Sequence, residues 1–459
     1  MLFRSVVFTS LYSFTGTTND GAHPYAGLVQ GSDGNFYGTT SAGGMNYFEF
    51  FDFSTVFKIS ANGVLTSLVI LGDFNVIPGL MQASDGYLYG TIANAYGPYY
   101  GGYGDVVQIS TNGLLTILYS FNGYYGWDSY AGLVQGTDGN FYGTTYYGGD
   151  IRPGLDIRYP GQGNVFKISP GGGAPTSLLI FGGTSGESVE PNGLVQGSDG
   201  NFYFTTSGGI YNAGTVSKIS SDGAPTGFYS FTGANDGAKP HAGLVQGRDG
   251  NFYGTTEYGG TNGSGTVFQI GTNMVLTSLH SFTGTNGGAG PYAGLVLGSD
   301  GYLYGTTEYG GSSGSGTVFA VNTNGTDFTT LYSFSAGSTN SSGVYTNSDG
   351  ANPRAGLVLS GNTLYGTASA GGIWGDGTVF SIALPVSPQL TITLSGTNVI
   401  LSWPTNVAGF DYSGFTLEWA TNLVSPIAWN TNSTPPIGII GQKVVTNPII
   451  GTQMFYRLH

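Results

Sequence analysis

The sequence predicts an all-β protein: a seven-bladed β-propeller with four strands per blade, its N-terminal strand closing the last blade, followed by a small β-sandwich. Three observations carry this prediction. One unit is written seven times, opening at the Gly-Leu steps of Gly27, Gly79, Gly132, Gly193, Gly243, Gly294 and Gly356, with successive spacings of 52, 53, 61, 50, 51 and 62 residues. Each copy holds four short runs rich in Val, Ile, Phe, Tyr and Thr, the residues that fit a pleated surface. No helical periodicity of useful length interrupts them. A period near fifty with strand content is the signature of radially repeated small sheets.

The fifth unit shows the four runs plainly: GLVQG (243–247), NFYGTT (251–256), GTVFQI (265–270) and LTSLHSF (276–282). Asp-Gly joins the first two runs at Asp33, Asp85, Asp138, Asp199, Asp249 and Asp300. Such a pair between apolar runs marks a hairpin, because Gly takes the positive φ and Asp bonds its own backbone. The seventh unit substitutes Ser360-Gly361-Asn362, which keeps the turn without the carboxylate, so the Asp is assigned to the turn and not to catalysis. The second run carries a Tyr in every unit: Tyr37, Tyr89, Tyr142, Tyr203, Tyr253, Tyr304 and Tyr365. Gly follows it in six units and Phe204 in the fourth. Since side chains alternate between the faces of a strand, both faces of this run are built to pack. A Gly inside a strand signals close approach of a neighbour. The tyrosines are therefore expected in the core between blades.

The fourth run occurs at 9–14, 66–71, 116–121, 176–181, 226–231, 277–282 and 329–334. Its first copy precedes unit one and none follows unit seven, so the N-terminal strand must complete the blade begun at 356–383. Closure of this kind removes sheet edges that otherwise invite aggregation. The propeller is assigned to residues 1–384. Its Asp-Gly turns and its third-to-fourth turns share one face and are short. The opposite face collects the long segments 41–54, 93–105, 146–164 and the crossing at 335–355, where function concentrates on a rigid scaffold.

Pro385 and Pro388 mark a linker, beyond which LTITLSG, NVILSW, FTLEWA, AWNT, QKVVTN and MFYRLH read as short strands. That pattern predicts an immunoglobulin- or fibronectin-III-like sandwich over 385–459, with Trp403, Trp419 and Trp429 as its core.

Composition narrows the function. Only 8% of residues are charged, against the usual quarter, and the formal charge of −14 rests on 11 Lys and Arg. With no basic stripe, nucleic acid is excluded as a partner. No apolar run reaches the eighteen or so residues of a membrane span. The absence of cysteine excludes disulfides, thiolate metal sites and thiol nucleophiles. The opening MLFRSVVFTS lacks the apolar core of a signal peptide and matches the fourth run instead, so an export signal is expected to be absent from this sequence.

The unit GLVQGSDGNFYGTT…GTVFKIS…LTSLYSF resembles the GloVer tandem repeat, a choice-of-anchor repeat family. The match covers about four fifths of the chain, and Gly193–Thr206 departs from the pattern only at Phe204. The resemblance implies an exported bacterial protein, extracellular or at the cell surface, whose C-terminus carries a sorting module. It assigns no catalytic residues.

The long-loop face is rich in aromatics beside Asn and Asp. Tyr47, Tyr96, Tyr99, Tyr100, Trp127, Tyr147 and Tyr159 are the candidate ligand-binding residues, since their rings stack on sugars and give protein contacts area at low entropy cost. Glu257 and Glu308 occupy the same place, TTEYGG, in adjacent units, and His241 stands in a crossing on the same face. Two carboxylates at one ligand suit glycoside chemistry, so these three are the catalytic candidates. Tyr25, Tyr130, Tyr292, His241 and Arg354 share one slot before the Gly-Leu step and are expected to ring the channel mouth. Asp20, Asp236 and Asp349 supply one carboxylate per crossing, which fits a turn better than the dense ligand set of calcium. Calcium is the one cofactor the pattern admits, and none is assigned. The reading is a non-enzymatic binding protein that recognises a glycan or a surface protein. Its alternatives are a glycosidase or polysaccharide lyase at the channel mouth, and a self-assembling scaffold with a second copy of the chain as partner.

Overall fold

The computed structural model describes residues 6–17, 19–43, 53–72, 75–94, 103–122, 126–148, 163–181, 191–209, 211–340, 343–385, 390–404, 406–407, 410–411, 416–420, 429–432, 434–439, 442–448 and 454–458. These residues form strands and turns, and no helix among them is long and apolar enough to cross a membrane. The chain divides into two compact units: one spans Phe8–Ser381, the other combines Met1–Val7 with Ile382–His459.

Within the larger unit each repeat forms an antiparallel sheet whose strands lie in sequence order. In repeat five these are Val245–Gln246, Phe252–Thr256, Thr266–Ile270 and Leu276–Ser281. Repeat two adds a short strand, Asn75–Val76, beside Leu88–Asn94. In repeat seven the N-terminal strand Val7–Ser13 lies next to Thr378–Ala383, completing a sheet with Thr363–Ala368 and Val358–Ser360. Backbone and side chains rivet this join: Phe14 N–H donates to Gly377 O at 3.0 Å, and Ile373 N–H to Ser13 Oγ at 2.9 Å.

The Asp-Gly turns have a second role that turn chemistry alone does not reveal. Asp249 Oδ1 accepts the Asn251 N–H, as a turn requires, while Oδ2 accepts the Tyr253 hydroxyl at 2.8 Å. The same Tyr-to-Asp bond recurs at Asp33, Asp85, Asp138, Asp199 and Asp300, at 2.6–2.9 Å. A tyrosine can be fully buried only if its hydroxyl finds a partner, and the turn carboxylate supplies it.

Those rings build the core between sheets. Tyr365 stacks on Phe36 and Tyr203 on Phe252, while Tyr89 meets Phe141 and Tyr142 meets Phe202 at a tilt, with centroids 4.0–4.3 Å apart. Each pair joins one repeat to the next, and Tyr365–Phe36 joins the seventh to the first. In five of the sheets, the Gly after the Tyr makes room for a Phe on the third strand. A Cβ on Gly254 would sit 2.6 Å from Phe268 Cζ, and one on Gly143 equally close to Phe166. Repeat four reverses the exchange. Phe204 replaces the Gly, and its cross-strand partner is Ser217, where repeat two has Val107 and the others have Phe. The ring has moved from the third strand to the second.

Two titrations follow from this packing. Burial opposes ionisation of Asp33, Asp138, Asp199 and Asp249, but bonds from Asn and Tyr, and from Lys at Asp138 and Asp199, outweigh it and lower their pKa values, to about 2 for Asp199. Carboxylates with depressed folded pKa values stabilise above the unfolded value near 3.9 and lose that contribution as pH falls through the folded value. His280 stacks on Phe328 at 3.7 Å, and burial pushes its pKa down to about 4. The unfolded chain therefore binds its proton first, and stability falls between about pH 6.5 and 4. Melting temperature is expected to decline in two stages, a shallow one over that window and a steeper one between about pH 4 and 2. His280→Phe should abolish the first stage alone; a decline of unchanged shape in that variant would refute the assignment.

In the smaller unit, Thr391–Ser395, Asn398–Pro404, Gln442–Pro448 and Ile437–Ile439 form one sheet, and Asn430–Thr431, Leu417–Ala420 and Phe455–Leu458 another. Leu401, Trp403 and Val445 from the first pack with Leu417 from the second. The sequence places three tryptophans in this core, but only Trp403 is fully buried. Trp429 is half-buried and lies 4.3 Å beneath the Arg457 guanidinium, where a cation–π contact uses its face.

Candidate functional site

The crossings between repeats position the site. Asp20, Asp236 and Asp349 are nearly saturated by local donors. Asp236 accepts bonds from Tyr229 Oη at 3.0 Å, Thr232 N–H at 2.8 Å and Thr232 Oγ1 at 2.5 Å. Asp20 is bound likewise by Tyr12, Thr15 and Thr17, and Asp349 by Tyr332 and Ser335. Each carboxylate thus ties a fourth strand to the crossing behind it. Three residues further on, the chain takes a left-handed turn at His23, Lys239 and Asn352, as it does at Asp128 and Gly290, with φ between 52° and 61°. That residue is stitched on both sides: Lys239 N–H donates to Ala213 O, and Lys239 O accepts the Glu257 N–H.

Two residues beyond the left-handed turn comes the slot before the Gly-Leu step. Its occupants, Tyr25, Ile77, Tyr130, Pro191, His241, Tyr292 and Arg354, together line one cavity of about 510 Å³. Thr39, Ser41, Tyr146 and Ser207 also face it, which puts it at the end of the sheets where the second strands run into the long loops. Its wall has two characters. Repeats two to four contribute Ile77, Pro78, Tyr130, Tyr146 and Pro191. Repeats five to seven and one contribute an arc of flat polar groups: His241 stacks on Tyr292 at 4.5 Å, and the Arg354 guanidinium lies 5.8 Å from Tyr292 and 5.5 Å from Tyr25.

The two carboxylates sit behind this arc. His241 Nε2 lies 2.9 Å from Glu257 Oε2, and Arg354 Nη2 lies 2.6 Å from Glu308 Oε1. The pairings are not equivalent, because Glu257 takes the slot residue of its own repeat and Glu308 that of the next. Burial alone would push the Glu257 pKa up, but bonds from His241 and Tyr258 and the charges of His241 and Arg354 hold it below the usual range. Glu308 is only 3% exposed. The tyrosines of the two TTEYGG motifs extend outward from these carboxylates. Tyr258 is 53% and Tyr309 45% exposed. The neighbouring Glu, with burial second, pushes Tyr258 up to about 12 and raises Tyr309 as well.

Of the aromatic candidates, Trp127 and Tyr147 are half-buried and face each other across a β-bridge, rings 4.9 Å apart. Tyr147 meets Tyr146 at 4.5 Å, and Tyr146 meets Tyr130 at 5.5 Å, so a chain of rings leads to the cavity from repeat three. Tyr47, Tyr96, Tyr99, Tyr100 and Tyr159 lie outside the described residues. Glu257, Glu308 and His241 do gather on one side of the cavity. Sequence reasoning passed over Tyr258, Tyr309 and the apolar half of the wall. The doubled TTEYGG was the available signal for the first two.

Sheets of four antiparallel strands that share one cavity define a β-propeller. Solved structures agree over this region: virginiamycin B lyase from Staphylococcus aureus, in selenomethionine form, has a TM-score of 0.54 at 15% identity, and a streptogramin B lyase 0.55 at 13%. Each likeness covers 83% of this chain and 99% of the other, and at such identity it is one of fold alone. No curated protein matches the sequence. The Gloeobacter/Verrucomicrobia repeat model matches residues 156–380, which supports assigning those repeats to that family.

Proposed function

We propose that this chain is a secreted or surface-displayed binding protein: a closed seven-bladed propeller with a C-terminal sandwich, taking the end of a glycan into the cavity where its blades meet. The observation behind the reading is the two-sided wall. A sugar ring has an apolar C–H face and a polar hydroxyl edge. Tyr130, Tyr146, Ile77 and Pro191 suit the face, while Arg354, His241 and Tyr292 offer donors and acceptors to the edge. The volume lies within the range of small-ligand pockets.

A glycosidase needs one carboxyl protonated near neutral pH as general acid. Glu257 is held the other way, 2.9 Å from His241 Nε2 and below its ordinary pKa, and Glu308 is paired with a guanidinium. Binding without turnover is therefore the expected behaviour. A glycan array followed by product analysis tests it. Tyr292→Ala should weaken binding tenfold or more, the scale of an interface anchor, with no sugar released by either protein. Release of shortened glycan that stops in Glu257→Gln would establish the enzyme instead.

A further inference from the structure

Charge is spread unevenly around the cavity. The chain carries 25 Asp and Glu against 11 Lys and Arg, yet none of the described residues lining the cavity is acidic, and Arg354 gives its wall a fixed positive charge. The carboxylate that balances this charge is sealed from solvent. Arg354 Nη2 lies 2.6 Å from Glu308 Oε1, and 37% of the Arg354 side chain stays open while only 3% of the Glu308 side chain does. A buried carboxylate needs such a counter-charge, but the pair is one-sided: a solute entering the cavity meets the cation and not the anion. The head group also has donors to spare. A guanidinium is a planar fork with several N–H donors, and Glu308 engages one nitrogen of it. Its position is set beforehand, because Tyr25 and Tyr292, the slot residues of the repeats on either side, bring their rings within cation–π range. Little side-chain freedom is then left to lose when a ligand arrives.

Resting on the glycan reading above, we infer that the sugar unit taken into the cavity is a uronic acid, whose carboxylate accepts hydrogen bonds from Arg354 while its ring lies against the apolar wall of Ile77, Tyr130 and Pro191. A planar carboxylate matches the guanidinium fork as a sugar hydroxyl does not, and a hydrogen bond between charged partners is roughly twice as strong as a neutral one. The net charge of −14 repels an acidic ligand at a distance. In physiological salt that repulsion is screened over about 8 Å, so contact with Arg354 decides the affinity.

Isothermal titration of the full chain with trisaccharides of galacturonate, mannuronate and glucuronate, each beside its neutral hexose counterpart, tests this. For a series that binds, the acid should bind roughly tenfold more tightly than its neutral twin, the worth of a charged hydrogen bond. The ratio, rather than either affinity, is the readout. Glu308→Gln should raise it, because the arginine loses its balancing charge and keeps an oxygen to donate to. Arg354→Gln should bring it down to parity. If that variant melts early with Glu308 left unpaired, the double variant Arg354→Gln with Glu308→Gln removes both charges together and should show the same parity. An arginine that serves only to neutralise Glu308 would shift the melting temperature of these variants and leave the ratio alone, and that result overturns the inference. Neutral trisaccharides bound as tightly as the acids, and lost in Tyr292→Ala, also overturn it while keeping the cavity reading. If no trisaccharide of either kind binds the parent, both fall.

Discussion

Phe204→Ala is expected to lower the stability of the larger unit by about 3–5 kcal/mol, the range for emptying a buried phenylalanine site. Phe204 is fully buried among Tyr142, Val165, Phe202 and Ile219, with Phe181 edge-on at 5.7 Å. Its neighbours cannot collapse onto the space, because Ser217 opposite is small. The sharper test is the exchange. Ser217→Phe alone should overpack, at a cost of about 1–3 kcal/mol. Phe204→Gly alone should leave a cavity. The pair together recreates the arrangement of repeat five and should recover most of the loss, as a coupling in a double-mutant cycle of denaturant melts. Additive losses would mean that repeat four has lost the space for a third-strand ring.

Deleting residues 1–14 should have the second large effect. It strips repeat seven of its outer strand, and with it Phe14, packed 5.3 Å from Phe57, and Phe8, stacked 4.0 Å from Tyr332. Losing the buried Phe14 alone costs about 3–5 kcal/mol on the same scale, a large share of the whole stability of a typical domain. The strand Thr378–Ala383 also becomes an unpaired edge. The truncated chain is expected to aggregate on size-exclusion chromatography, and a peptide of residues 1–16 added during refolding should return part of it to monomer. A truncated chain that stays monomeric with the parent's melting temperature would show that the join contributes nothing.

Much of this was legible in the sequence because it was written seven times. The Tyr–Gly step announced packing on both faces, and the count of fourth runs placed residues 9–14 beside the last repeat. What escaped was whatever depends on direction. The Asp and Tyr of each hairpin lie four residues apart, but only the geometry of the turn aims the hydroxyl at the carboxylate. The exchange of Phe204 for Ser217 was present as two oddities 13 residues apart in sequence; their cross-strand register joins them. The partners of Glu257 and Glu308 differ although their motifs are identical, since His241 is short enough only for its own repeat and Arg354 reaches back from the next.

The slot before the Gly-Leu step holds Tyr, Ile, Tyr, Pro, His, Tyr and Arg in turn, all lining the same cavity. The molecule thereby carries its own record of tolerance: five residue types, from a small ring to a long cation, already stand at one structural address without disturbing the packing behind them. The binding surface behaves as a set of interchangeable letters on a fixed page. Recognition can be rewritten one position at a time, by duplication and divergence in a genome or by saturation libraries at the bench, while the instructions for folding stay in the strands.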